Sequence, residues 1–214
     1  MTTTPAPRTS VHRSATLGLL GGALWTLLPL AWSAVRLEDH PTGTAAFVAV
    51  AASYWLFAVL PPALIIVGLT ALRPTLGPGR AGVIGVVLAT VGLGSMALGN
   101  GIEVASMSAG GGEVALGHAL FLLGFLVSVL GGIVLGIVIL RRRPDAPSRV
   151  AGLLLALALP LGIGMAVLGD IVAPGTDAGF WAAISVPTGI AWVLLGATLR
   201  SERHPVDAGF APVS

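Results

Sequence analysis

VALGHALFLLGFLVSVLGGIVLGIVILRRR, residues 114–143, runs through 114–140 without a formal charge and then closes on three arginines. A helix needs about 20 mostly apolar residues to cross the hydrocarbon of a bilayer. This stretch exceeds that length and is apolar on every face, the pattern of a helix with no water-facing side. Arginines placed directly after such a run mark the end that stays in the cytoplasm.

Five more segments read the same way: 15–36, 44–72, 81–104, 150–173 and 178–199. Short connections rich in Gly, Pro and charged residues separate them, as turns require. The arginines then alternate with the segments. Arg8 and Arg13 precede the first, and Arg73 and Arg80 lie between the second and third. Arg141, Arg142, Arg143 and Arg149 lie between the fourth and fifth, and Arg200 and Arg203 follow the sixth. Only Arg36 falls on the opposite side, where the loops carry Glu38, Asp39, Glu113 and Asp177. Five or seven spans would scramble this alternation. The expectation is therefore an all-α, six-helix polytopic bundle in the cell (plasma) membrane with both termini cytoplasmic. Residues 14–201 form the transmembrane domain, and the tails 1–13 and 202–214, short and rich in Pro, Thr and Ala, are expected to be disordered.

Composition agrees. Of the 214 residues 55% are hydrophobic and 9% charged, with a mean hydropathy of +0.96; a soluble domain carries about 25% charged residues. The pI near 10.4 does not indicate nucleic acid, because the arginines flank apolar segments. The expected surroundings are the lipid bilayer, with a homo-oligomer or membrane-complex partner allowed. There is no cysteine, which excludes disulfides and thiolate chemistry, and no lysine. That bias, with abundant Ala, Gly, Val, Leu and Pro, suits a high-GC bacterial source. Ala31-Trp32-Ser33 loosely resembles a signal-peptide cleavage site, yet the first apolar run exceeds the about 7–15 residues of a signal core, so a retained helix is expected. Trp32, Tyr54, Trp55, Phe180 and Trp181 fall toward the outer ends of their segments, where headgroup-level rings are expected, while Trp25 and Trp192 lie deeper as packing residues.

Glycines recur at intervals of seven: Gly85, Gly92 and Gly99; Gly117, Gly124 and Gly131; Gly162 and Gly169; Gly189 and Gly196. Such a period holds them on one slowly drifting face, where the missing side chain lets a neighbouring helix approach. Gly18-x-x-x-Gly22 and Gly132-x-x-x-Gly136 add to the pattern. Segments 81–104 and 150–173 also correspond at an offset of 70, pairing Ala81-Gly82 with Ala151-Gly152, Gly99 with Gly169 and Asn100 with Asp170. Prolines at 29, 61, 62, 160 and 187 interrupt four segments, and kinks are expected there.

Few polar groups lie inside the segments. Glu103, His118 and Asp170 are the ionisable ones, and Asn100 precedes Glu103 by a turn. Such residues are costly in lipid and mark candidate sites. At about 1.5 Å per residue, Asn100, His118 and Asp170 share one level about 12–14 Å outside the midplane, with Glu103 slightly farther out. Each of the three follows a glycine of the seven-residue series (Gly99, Gly117, Gly169). The expectation is one ligand or proton site formed by Asp170, His118, Asn100 and Glu103, with metal binding left open. No H-E-x-x-H or Walker A motif is present, and Gly92-Leu93-Gly94-Ser95 lacks the G-x-S-x-G elbow. As His118 is the one histidine within a span, bis-histidine haem is excluded within a chain, and no cofactor is expected. The leading expectation is a non-enzymatic permease, sensor or accessory subunit with a polar site near the extracytoplasmic side. A metal-dependent intramembrane hydrolase using Glu103, His118 and Asp170 is the alternative, and a structural subunit of a membrane complex the second.

Overall fold

The computed structural model describes residues 8–28, 39–112, 114–175 and 177–201. Among these residues all regular structure is helical. Helix α1 spans Arg8–Thr26, α2 Ala45–Tyr54, α3 Leu60–Leu72, α4 Arg80–Ser108, α5 Ala115–Arg142, α6 Ala146–Ala156, α7 Ala158–Val172 and α8 Ala178–Ser201. Four helical stretches are long and apolar enough to cross a membrane: Ala45–Leu76, Arg80–Ser108, Ala115–Arg142 and Ala178–Ser201. The bent pair α6–α7 makes a fifth if it counts as one span. Their outward faces are apolar. Ile84, Val87, Val91 and Leu98 on α4, and Leu116, Leu123, Leu126 and Leu130 on α5, are all exposed, which suits insertion into lipid and is far from the surface of a soluble protein.

The helices pack in a closed ring, in the order α1, α3, α4, α5, α6, α8 and back to α1, with α7 lying along α8. Glycine contacts make the neighbours antiparallel. On α4 and α5 the two seven-residue series face each other. A Cβ at Gly99 would lie 2.5 Å from the Gly117 carbonyl oxygen, one at Gly124 2.7 Å from that of Gly92, and Gly131 meets Ala89. Helix α1 closes on α3 at Gly18 and Gly68, and on α8 where Gly22 meets Gly189 and Gly196 meets Ala15 and Leu19. Gly162 and Gly169 pair with Ala183 and Gly179 of α8, and Gly136 with Gly152. These pairings gather the 73–79 loop, the 143–145 turn and the end of α8 at one end of the bundle. There the Arg142 guanidinium donates to the Leu76 carbonyl and covers Gly77, whose φ of +69° few side chains accept. The centre is filled by Trp25, Met96, Leu155, Ile184 and Trp192 around a void of about 20 Å³, room for about one water.

Prolines shape two elements. Pro61 and Pro62 offer no N–H to the carbonyls of Phe57 and Ala58, and just before them the helix widens to a π turn, Trp55–Val59, closed by Leu60 N–H on Trp55 O. The 150–173 segment, expected as one span kinked at Pro160, is two helices bent by 71° at Leu157. Pro160 leaves the Ala156 carbonyl without its α-helical donor, so the chain turns just before it. The offset-70 partner of Pro160 is Thr90, within an unbroken helix, so the two similar segments differ in shape.

Three further expectations change. Residues 8–13, placed in a disordered tail, begin α1; no proline or glycine interrupts the chain from Arg8 to Leu17. That helix also contains His12, so His118 is not alone among helical histidines. Tyr54, expected at headgroup level, is buried with Phe47, Val50 and Val104. Residues 29–38, which hold Pro29, Trp32 and Arg36 of the 15–36 segment and Glu38 of the loop after it, lie outside the described residues, as do Glu113, Arg203 and the rest of the 202–214 tail.

Asp145 caps α6. Its Oδ1 accepts from the Ser148 N–H at 2.8 Å, and Arg143 lies 3.9 Å away. Partial burial pushes the carboxyl up, but the Ser148 hydrogen bonds and the Arg143 charge outweigh it and hold Asp145 below the ordinary aspartate range. Its stabilising effect is therefore complete above the unfolded value of about 4 and is lost as pH falls through the lower folded value. Asp145→Ala is expected to cost about 1 kcal/mol at pH 7, with the gap to wild type shrinking in unfolding experiments run toward pH 3.

Candidate functional site

At the bundle end opposite the 73–79 loop and the 143–145 turn, a cavity of about 430 Å³ opens between the adjoining turns of α4, α5 and α8 and the loops that precede α2 and α5. Helix α4 supplies Asn100, Glu103 and Met107, which share a face because they are three and four residues apart. Helix α5 supplies His118, Phe121 and Leu122, and α8 supplies Phe180 and Trp181. His40 and Thr42 come from the segment leading into α2 and Phe47 from its first turn, and Gly110, Gly111 and Gly112 form part of the rim. That rim is held by Ser106, whose carbonyl accepts from the Gly111 N–H at 2.9 Å and whose Oγ donates to the Gly112 carbonyl at 2.9 Å.

The glycine seam brings the polar groups together. A Cβ at Gly117 would lie 2.8 Å from Glu103 Cγ, so the bare backbone of α5 makes room for the glutamate to cross it. The carboxylate then reaches the next residue, with Glu103 Oε1 3.4 Å from His118 Nδ1. The glutamate side chain is 15% exposed and the imidazole 51%, placing His118 toward the opening and Glu103 within. Asn100 is buried and structurally engaged: Nδ2 donates to the Ala58 carbonyl at 2.8 Å, the carbonyl that Pro62 cannot serve in an α-helix. Aromatic rings form the facing wall. Phe121 and Trp181 have centroids 5.9 Å apart, and Phe180 meets Trp181 edge-on at 5.3 Å.

Of the four residues expected to share a site, Asn100, Glu103 and His118 line this cavity. Asp170 does not; it is exposed, near the end of α7. The reason is the bend at Leu157 together with the Gly169–Gly179 contact, which lays α7 along α8 instead of α5. Among the described residues no three His, Asp or Glu side chains group as metal ligands, so the arrangement that a Glu103–His118–Asp170 hydrolase requires is not formed. His40 and the wall of Phe47, Phe121, Phe180 and Trp181 escape a sequence search restricted to ionisable groups inside helices. The clue to His40 is its position, one residue after Asp39 in a loop at the same bundle end.

Set against protein-family models, curated proteins and solved structures, the chain matches none.

Proposed function

We propose that this chain is a six-span plasma-membrane protein with cytoplasmic termini that binds a small ligand, without chemistry, in a pocket open to the extracytoplasmic side, as a sensor, accessory subunit or permease. The single observation that carries the reading is the 430 Å³ cavity lined by the mostly buried side chain of Glu103. Its size falls in the range of small-molecule sites, about 300–1,000 Å³, and its few polar groups converge against apolar rings, as such sites do. The sixth span of this reading is the 15–36 segment expected from the sequence, of which the described α1 supplies residues up to Thr26. Orientation rests on the arginines: those at 73, 80, 141–143, 149 and 200 gather at the end away from the cavity, and positive charge is retained in the cytoplasm.

Orientation is tested by reporter fusions. Those at residues 76, 145 and 210 are expected to read cytoplasmic, and those near 40, 110 and 175 external. An external reading at 145, the loop with four arginines, would overturn it. Binding is tested by thermal shift of the purified protein in detergent against a panel of small cations, anions and neutral solutes. A ligand present at 100 times its Kd adds about 2.7 kcal/mol, an evident rise in Tm. A panel in which nothing stabilises the protein contradicts the reading.

A further inference from the structure

Resting on that binding reading, we infer that the pocket also opens sideways into the bilayer between α5 and α8, and that its ligand is an amphiphile. An apolar chain lies against Leu122 and Phe180, with a polar head toward the rim. The opening follows from the bend at Leu157. Gly136 of α5 meets Gly152 of α6. These helices are antiparallel, so a straight continuation of α6 would bring Ala166, fourteen residues on, beside Leu122, fourteen residues back. The bend takes that segment away. Ala166 instead lies against Gly179 of α8, and α7 barely touches α5. Helices α5 and α8 do not pack against each other, and the rings of Phe121 and Trp181, with centroids 5.9 Å apart, bridge the space between them.

Two residues of the cavity wall mark the opening. Leu122 on α5 is 39% exposed and Phe180 on α8 48%. Leu126, one turn farther along α5 on the same face, is exposed and does not line the cavity. The cavity wall therefore passes into the outer apolar surface of α5 at Leu122. Phe180 precedes Gly189, which meets α1, by nine residues or about two and a half turns, so it stands on the face of α8 away from α1. Leu122 lies about 6 Å farther from the rim than His118 at about 1.5 Å per residue, where a spanning helix meets hydrocarbon. Phe121, Leu122 and Phe180 offer water no hydrogen bond, and apolar spaces stay dry. A hydrocarbon chain from the bilayer suits them. At the rim the lining changes to His40, Thr42 and His118, which suit a polar head. A molecule that meets both surfaces is an amphiphile, whatever charge its head carries.

The test is photolabelling of the full chain in phosphatidylcholine nanodiscs, with the adducts located by mass spectrometry. One probe is an uncharged monoacylglycerol with a diazirine in mid-chain, the other a phosphatidylcholine carrying the same chain. Adducts on Phe121, Leu122, Phe180 and Trp181 are expected to exceed those on Leu126 and Leu130, exposed on α5 outside the cavity, at least fivefold. Enrichment with the monoacylglycerol alone supports a free single-chain amphiphile, and enrichment with both probes supports a bilayer phospholipid as the source of the chain. Leu122→Trp, which fills the opening, is expected to cut adducts on Phe121, Phe180 and Trp181 at least fivefold and to leave those on Leu130 unchanged. If Leu122→Trp does not fold, as judged by circular dichroism and gel filtration, the distribution of adducts on the wild-type protein decides. Pocket adducts unchanged in folded Leu122→Trp overturn the lateral opening. Pocket adducts no stronger than those on Leu126 and Leu130 overturn the amphiphile assignment, and a ligand found by thermal shift then leaves the pocket itself standing. The same labelling result with an empty thermal-shift panel removes both.

Discussion

Gly92→Val and Gly124→Val are each expected to lower the melting temperature in detergent more than any conservative change on the lipid-facing side of the same helices, such as Val87→Ile. These glycines stand opposite each other on α4 and α5. A Cβ at Gly92 would come 2.6 Å from the Gly124 carbonyl oxygen, and one at Gly124 would come 2.7 Å from both the Gly92 oxygen and the Met96 nitrogen. Those neighbours are backbone and cannot rotate aside, so a β-branched side chain forces the helices apart. Overpacking costs about 1–3 kcal/mol at sites that can adjust, and this seam is expected at or above the top of that range. Gly164→Val supplies the control: it is also helical, and a Cβ there meets nothing within 4 Å. The separation would also reach the pocket, because Gly99 and Gly117 continue the same seam beside Glu103. Equal, small effects at 92, 124 and 164 would refute the account of how α4 and α5 associate.

Asn100→Leu is the second large effect expected. The side chains are similar in size, so packing is nearly kept, but the donor to the Ala58 carbonyl is lost. Leaving a buried polar group without its partner costs about 1–3 kcal/mol, and Pro62 offers no N–H to replace it. The loss should appear as a lower Tm and as loosening of the π turn at Trp55–Val59, visible as faster amide exchange at Leu60 and Ala63. Retention of wild-type Tm would show that the carbonyl finds another donor and that Asn100 is not what fixes the turn against α4.

Some of this is legible in the chain and some is not. Hydropathy and length mark the apolar helices because a bilayer sets both, and α4, α5 and α8 lie within a few residues of the segments read from the sequence. The seven-residue glycine spacing can also be read directly, but the partner of each series cannot: Gly189 and Gly196 meet α1, while Gly162 and Gly169 meet the start of α8. Proline flags a break without its angle. Pro160 and Pro187 look alike in sequence, yet α6 and α7 diverge by 71° and α8 continues through Pro187. That angle decides the site. Depth along a helix brings Asp170 to the level of His118, but rotation and tilt send it elsewhere, and neither is encoded in residue spacing. Glu103, judged from depth alone as the residue nearest the headgroups, is the carboxylate drawn into the cavity, because Gly117 gives it room.

The claim on which the rest depends is that this pocket opens to the outside of the cell. The chain has no cysteine, so a single introduced thiol reports one position without background. His118→Cys at the pocket opening and Arg149→Cys at the opposite end are to be labelled in intact cells with a membrane-impermeant maleimide, before and after permeabilisation. The expected result is that the thiol from His118→Cys reacts in intact cells and the thiol from Arg149→Cys reacts only once the membrane is opened. The reverse pattern would place the pocket in the cytoplasm and contradict the account.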